Sequence, residues 1–461
     1  MEDVKKTKLF EEAPVPKAVM TLAIPTVVSS LVMVVYNLVD TYFVGLLNDP
    51  IQTAAVTLAA PVLLAFNAVN NLFGVGASTM MSRAMGRKDF DLMERACAVG
   101  FYLALFAGII FSVGYTVFRT PLLRLLGAEA DTVTATGNYL MWTTSFGAVF
   151  AIMNVVMAFL VRSEGSSLHA SIGTMSGCIL NIILDPIFIL PFGLNMGAAG
   201  AGCATFISNC VACIYFLVLL FVKRGKTHVC INPKKFRPKK DVIFEICSVG
   251  IPAAIQNILN VIGMTVLNNF TSSYGADAVA AIGIAQKLNM IPLFIAMGLG
   301  QGVMPIISYT FASGNVKRMK KTYRFTLTAA LIFMVAMAIV YHICAKGLVG
   351  LFIDEESVIA YGTAFLRGMC LAIPFLCIDF LAVGVFQACG MGTKSLVFAI
   401  LRKVVLEIPA LIVLNKLFSV YGLAYAQLCA EIVLSAVATV VIIRLFKKLE
   451  RKNAAAGEQM C

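Results

Sequence analysis

The stretch AVMTLAIPTVVSSLVMVVYNLVDTYFVGLL, residues 18–47, carries one charged side chain, that of Asp40. At about 1.5 Å of rise per residue, such a run crosses the roughly 30 Å hydrocarbon core of a bilayer as a helix, which satisfies all its own backbone groups there. The carboxyl of Asp40 costs several kcal/mol at that depth unless it is protonated, paired or facing a wet cavity. No basic residue lies within a helical turn of it. An acid so placed is by default a functional hypothesis, and Asp185 and Asp379 stand in comparable apolar runs. The three acids point to a protein that moves something across a membrane using an ion gradient.

Composition sets the same class independently. Of 461 residues, 60% are hydrophobic and 13% charged, a mixture that cannot form a soluble core with a polar shell. Apolar runs predict twelve spans, near 18–46, 53–82, 95–118, 133–161, 168–192, 197–222, 242–271, 278–310, 324–345, 357–388, 395–416 and 420–445. Residues 1–17 are charged and the first run is too long for a signal-peptide core, so it is expected to stay as the first helix. The net charge of +12 is topological and does not mark a nucleic-acid partner. With the N-terminus inside, 28 Lys and Arg fall on cytoplasmic segments and four on outer loops, namely Arg119, Arg124, Lys346 and Lys416. Lys287, Arg367, Arg402 and Lys403 lie in or close to spans. This bias places both termini in the cytoplasm of a multi-pass protein of the cell membrane.

Thirteen Cys are scattered without a CxxC pair, and three His, at 169, 228 and 342, form no ligand spacing, so no metal centre or cofactor is expected. Glycine-rich stretches at 74–76, 197–202 and 298–302 lack the strand and lysine of a phosphate loop and read as close helix contacts. Paired acids of an embedded enzyme, a His cluster or a nucleophile with its base do not occur, so an enzyme is the weaker alternative from a different class.

Laid over itself at an offset of about 225 residues, the chain repeats. AIPTVVSSL at 23–31 pairs with GIPAAIQNI at 250–258, and GVGASTMMS from Gly74 with GQGVMPIIS from Gly300. LVRSEG ending at Gly165 pairs with FQACG ending at Gly390, Pro186 with Pro409, and MGAAGA near Gly197 with YGLAYA near Gly422. Six spans per half give both halves the same orientation. The fold class is therefore an all-α membrane protein, with twelve transmembrane helices in two six-helix lobes related by a pseudo-twofold axis along the membrane normal. The lobes are expected at 1–222 and 241–448, joined by a basic cytoplasmic linker, 223–240, and followed by a tail, 449–461.

Within that frame Tyr36 and Asp40 lie one helical turn apart, with Asn37 close by, and Asn181 and Asp185 repeat the spacing before Pro186. Two such faces in one lobe can converge on a hydrated pocket that holds a proton between carboxyls, or Na⁺ among carboxylate, amide and hydroxyl oxygens. The bland alternative is that the acids tie helices together by hydrogen bonds. Asp379 is either in the substrate path or neutralised by a buried base such as Lys287 or Arg402, in a network with Glu407 and Glu431. Pro25 is a hinge candidate because its span carries Asp40. Met33, Met153, Met157, Met264 and Met290, with Phe66, Phe150 and Phe294, are placed to border a cleft, although core filling explains any one of them as well.

These features resemble the multidrug and toxic compound extrusion (MATE) transporters, in a superfamily that also contains polysaccharide and lipid flippases. The resemblance covers nearly the whole chain. It rests on IPTVVSSLVMVVYNLVDTYFVG at 24–45, GVGASTMMSRAMGRKD at 74–89, RSEG at 162–165, LNIILDPIFI at 180–189 and GAAGAGCAT at 197–205. It implies alternating access and export of organic cations or other amphipathic drugs in exchange for H⁺ or Na⁺, without a cofactor, by a monomer in the lipid bilayer. The implied cation site is Tyr36, Asn37, Asp40, Asn181, Asp185 and Thr205, with Na⁺, if it is the ion, at Asp40, Asn181 and Asp185. The implied substrate cavity includes Asn154, Met33, Met157, Gln256, Asn260, Met264 and Asp379. Where a NorM-like member carries a seventh-helix glutamate, this chain has Asn260, which sets it nearer the DinF-like and MepA-like branches and favours coupling in the N-terminal lobe. A lipid-linked sugar flippase of the same superfamily remains the alternative, although few basic residues in the spans suit a pyrophosphate.

Overall fold

A computed structural model of the chain describes residues 8–129 and 131–458, so the last three residues of the expected tail lie outside the described residues. Helices dominate, and no strand occurs among the described residues. The first half runs α1 (Val15–Gly45), α2 (Pro50–Gly86), α3 (Phe90–Val117), α4 (Val133–Leu140, a π-helical turn Met141–Phe146, then Ala148–Ser163), α5 (Ser167–Ile189) and α6 (Ala198–Val222). The second half repeats the order as α7 (Lys240–Ser272), α8 (Ala276–Ala312), α9 (Val316–Gly350), α10 (Glu356–Cys370 and Ile373–Ala388), α11 (Gly392–Ile400, a π-helical stretch Leu401–Glu407, then Ile408–Leu423) and α12 (Ala426–Glu458). A short helix, Arg119–Leu125, links α3 to α4.

Nine of these helices are long and apolar enough to span alone among the described residues, and α4 and α10 qualify as pairs bent by 52° and 46°. The twelfth, α11, carries Arg402, Lys403 and Glu407 in its middle, which is why neither half of it reads as an apolar span. Most helices overrun the apolar runs by several residues, because charged first turns outside the hydrocarbon extend a helix at no cost. The last span differs more: 420 was its expected start, but Ser419 has φ +53°, and α12 begins only at Ala426.

Turn chemistry explains the repeat. Gly165 and Gly390, the ends of the matched LVRSEG and FQACG segments, both sit just past a helix with positive φ, +89° and +76°. Asp49 accepts from the Ile51 N–H at the start of α2, and Asp89 from the Leu92 N–H at the start of α3.

By internal packing the chain divides into two compact units, and the division falls inside two helices. Val28–Ala254 forms the body of one unit, and Ala13–Val27 joins the residues from Ile255 onward in the other. Thus the first part of α7 packs within the first unit, where a Cβ on Gly250 would lie 1.9 Å from the Leu72 carbonyl oxygen and one on Gly76 would lie 2.4 Å from that of Ile246. The first part of α1 packs within the second unit, where a Cβ on Gly302 would lie 2.7 Å from Ala23 Cα. Gly76 and Gly302 are repeat equivalents, which accounts for their residue type in both halves. Gly250→Leu is expected to cost about 1–3 kcal/mol, since the obstacle is backbone. Gly283→Ala, with nothing within 4 Å of its Cβ, is expected to leave stability unchanged or slightly raised. Thermal unfolding in detergent compares them, and equal midpoints would refute the close-packing account.

Pro25 and Pro252 each lie two residues before the point where their helix passes from one unit to the other. Each lacks the N–H that would bond four residues back, so both helices carry a built-in weak point at the handover.

Candidate functional site

Inside the first unit, α1, α5 and α6 bring the polar residues of their apolar sequences together. Asp185 and Asn181, one turn apart on α5, are fully enclosed, at 0% and 1% exposure. The Asn181 amide lies between Asp185 and Thr205 of α6. In one orientation its Nδ2 reaches Thr205 Oγ1 at 3.3 Å. Turned over, Nδ2 donates to Asp185 Oδ2 at 2.9 Å and the amide oxygen accepts from the Thr205 N–H at 3.0 Å. The second orientation satisfies both ends of the amide and is adopted here. The Tyr36 side chain of α1 lies beside that of Thr205, and Asp40 lies within electrostatic reach of both Tyr36 and Asp185. The result is a ring: Asp40 and Tyr36 on α1, Thr205 on α6, and Asn181 and Asp185 on α5.

Asp40 is the half-open member. It is only partly enclosed, yet its Oδ1 has no hydrogen-bond partner among the described residues. A carboxylate oxygen left bare beside a second carboxyl is an acceptor prepared for a proton or a cation, since two like charges close together in a low dielectric repel strongly.

Not every expected residue joins the ring. Asn37 is exposed, and its Nδ2 donates to the Met33 carbonyl oxygen of its own helix at 2.8 Å, so it faces away from Asp40. Asn154 is buried and donates to Asn209 Oδ1 at 3.2 Å, and Asn209 in turn donates to the Thr205 carbonyl oxygen at 2.9 Å. Asn154 thus touches the ring through Asn209. Met33 is half-buried, whereas Met157 is wholly enclosed in the core of the unit, which removes it from any open cavity.

Two groups escaped the sequence reading. Tyr139, 4% exposed on α4, lies within electrostatic reach of both Asp40 and Asp185. Trp142 and Phe146 of the π-helical turn pack with Phe206, the neighbour of Thr205, at ring distances of 5.9 and 6.3 Å, and Phe150 adds a third contact at 5.8 Å. The polar pair Asn138–Tyr139 inside an apolar span was the available signal for Tyr139. Nothing in the sequence announces the π-turn that sets these rings together.

In the second unit Asp379 is 1% exposed and ion-paired with Arg402. Arg402 Nε also lies 3.3 Å from Glu431 Oε1, and its guanidinium carbon sits 4.4 Å above the centroid of the Phe380 ring. Lys403 reaches Glu407 at 2.7 Å, one turn along the π-helical stretch. Arg402 is therefore the partner of Asp379; Lys287 is exposed and pairs with no acid among the described residues. Glu431 shares the Arg402 network, while Glu407 belongs to Lys403. Gln256 lies 3.4 Å from Gln387, Asn260 is half-buried and Met264 is 44% exposed.

A family model described as MatE matches residues 25–187 and again residues 252–413, so the two halves detected as a repeat each match it. The chain is 35% identical over 439 residues to the multidrug export protein MepA of Staphylococcus aureus strain MRSA252, covering 95% of both chains. It is 34% identical over 442 residues to the protein of the same name from Staphylococcus saprophyticus subsp. saprophyticus, covering 95% of this chain and 96% of that one. Its fold is similar to the outward-facing conformation of a multidrug resistance MATE family transporter of the MOP superfamily, with a TM-score of 0.91 and 25% identity over 97% of this chain and 99% of that one.

Proposed function

This chain belongs to the MatE family, and we propose on that premise that it is a secondary active multidrug exporter of the cell membrane, trading organic cations or other amphipathic drugs against H⁺ or Na⁺. It is a multi-pass membrane protein and a transporter, not an enzyme. Both termini lie in the cytoplasm in this reading, as the distribution of Lys and Arg requires.

The observation that carries the proposal is the ring of Tyr36, Asp40, Asn181, Asp185 and Thr205, with Asp40 Oδ1 buried and without a hydrogen-bond partner among the described residues. An ion entering from outside binds at Asp40 and Asp185 and offsets one of their negative charges. For H⁺ the carboxyl oxygens suffice; for Na⁺ the Asn181 amide oxygen and the Thr205 hydroxyl add hard oxygen ligands. Ion occupancy and drug occupancy then favour different conformations, so each lowers the affinity for the other by the same factor. Bending of α1 near Pro25 is the motion that converts one state into the other, because the helix lacks a backbone hydrogen bond there and changes packing partners two residues later. Ion release inside resets the cycle.

Proteoliposomes loaded with a fluorescent organic cation, given a pH gradient and a Na⁺ gradient separately, test this. Efflux is expected under one gradient and not the other, which names the coupling ion. Absence of efflux under both would refute the exporter reading and favour lipid-linked substrates.

A further inference from the structure

Residues 223–240, which join the two halves, include eight Lys and Arg and read from sequence as a basic cytoplasmic linker. Their structure is different. The Tyr102 hydroxyl of α3 donates to the Ile231 carbonyl oxygen at 2.8 Å, and the Cys230 N–H donates to Cys97 Sγ at 3.2 Å. Glu164 accepts from the Thr227 hydroxyl at 2.9 Å and from the His228 N–H at 3.2 Å, and the His228 ring stacks on Phe90 at 4.7 Å. Lys235 pairs with Asp91 at 2.7 Å and Glu94 at 3.1 Å. Its ammonium is held above the ordinary lysine range, chiefly by the hydrogen bond to Asp91 and then by that to Glu94, so this staple stays charged at neutral pH. The segment is strapped along α3.

Its depth matters as much as its attachment. The Phe236 ring rests on Tyr102 at 5.1 Å and on Phe106 at 6.1 Å. Those two lie 7 and 11 residues beyond Arg95, the last charge before the apolar run of α3, which is about 10 and 16 Å along the helix. Phe106 is 48% exposed on a spanning helix, a position that faces lipid. Phe236 therefore sits at the boundary between lipid tails and headgroups, where aromatic rings anchor. On either side of it Lys234, Arg237, Lys239 and Lys240 are exposed, and none has an ion-pair partner among the described residues.

We propose that the inter-lobe linker is an interfacial strap whose four free cations bind the phosphate groups of anionic phospholipids, with Phe236 as its anchor. The inference rests on the cytoplasmic placement of this segment in the reading above. Four basic side chains at headgroup level face the negative leaflet surface, and the charges already used by Asp91 and Glu94 fix the strap without consuming the other four.

The test reconstitutes the full chain in nanodiscs of phosphatidylcholine with graded phosphatidylglycerol, reading the thermal midpoint and the lipid retained in native mass spectrometry. For the wild type the midpoint is expected to rise with phosphatidylglycerol, less so at high salt. The variant Lys234→Gln, Arg237→Gln, Lys239→Gln, Lys240→Gln is expected to need at least about tenfold more phosphatidylglycerol for the same rise. Phe236→Ala, which keeps every charge, is expected to lose most of the response as well. A charge-matched control, Lys447→Gln, Lys448→Gln, Arg451→Gln, Lys452→Gln at the end of α12, is expected to respond as the wild type does. Should the quadruple linker variant not fold, Arg237→Gln with Lys239→Gln reads the same titration with a smaller shift. An unchanged response in the linker variants, or an equal loss in linker and control variants, overturns the proposal. None of these readouts requires transport, so their failure leaves the exporter reading standing, and loss of efflux leaves the strap standing.

Discussion

Asp40→Asn is expected to reduce gradient-driven export to the level of protein-free vesicles, while yield, membrane insertion and thermal midpoint stay within error of the wild type. Asparagine keeps the shape and one oxygen of aspartate but removes the charge that the entering ion offsets in the proposed cycle. Since Asp40 Oδ1 has no hydrogen-bond partner to lose among the described residues, the substitution breaks no structural contact there. The effect belongs to coupling and not to folding. Asp185→Asn is a harsher test, because Asp185 is completely enclosed and accepts from Asn181 at 2.9 Å, so some loss of stability accompanies the loss of transport. Export by Asp40→Asn at half the wild-type rate or more, in the same vesicles, would remove Asp40 from the coupling site.

The second large effect is structural and lies in the other unit. Arg402→Met is expected to destabilise the protein by about 3–5 kcal/mol, enough to abolish recovery of folded material, because it leaves the carboxylates of Asp379 and Glu431 buried without their shared cation. The cluster holds three acids, Asp379, Glu407 and Glu431, against two bases, Arg402 and Lys403. Asp379→Asn brings it to two against two, so that variant is expected to fold in normal yield and to show a smaller or substrate-dependent change in export. Size-exclusion profiles and thermal midpoints of the two variants decide between the accounts. A well-folded Arg402→Met would mean that the acids are not held ionised by Arg402, and a misfolded Asp379→Asn would mean that the acid, not the charge balance, maintains this region.

These two predictions also separate what was legible in the chain from what was not. Asp40 stood out in sequence because a lone acid in a thirty-residue apolar helix has no local means of neutralisation, and the pairs Tyr36–Asp40 and Asn181–Asp185 followed from the 3.6-residue period. Residues one turn apart on one helix share a face whatever the rest of the molecule does. The twelve spans, the repeat and the inside-positive bias were likewise determined by composition along the chain, since the bilayer demands long apolar helices and translocation reads the charge between them.

Contacts between helices distant in sequence belong to tertiary structure alone. That Arg402 and not Lys287 neutralises Asp379 is a contact of the π-helical stretch 401–407, in which Arg402 is buried, with α10. The closing of the ring through Thr205, the proximity of Tyr139 and the removal of Met157 into the core all depend on how α4, α5 and α6 rotate against one another, and a period within one helix marks a shared face without saying which neighbour that face meets. The linker makes the same point: its charge predicted the cytoplasmic side, but only the bonds of Tyr102, Asp91 and Glu94 lay it against α3, and those of Glu164 against the end of α4. Sequence alone determined which segments enter the membrane and which acids are too costly there to be accidental, because solvation is a property of each segment by itself. Tertiary structure decided which of those acids face one another and which are neutralised, because a pairing requires two side chains at a few ångströms, and helix rotation sets that distance.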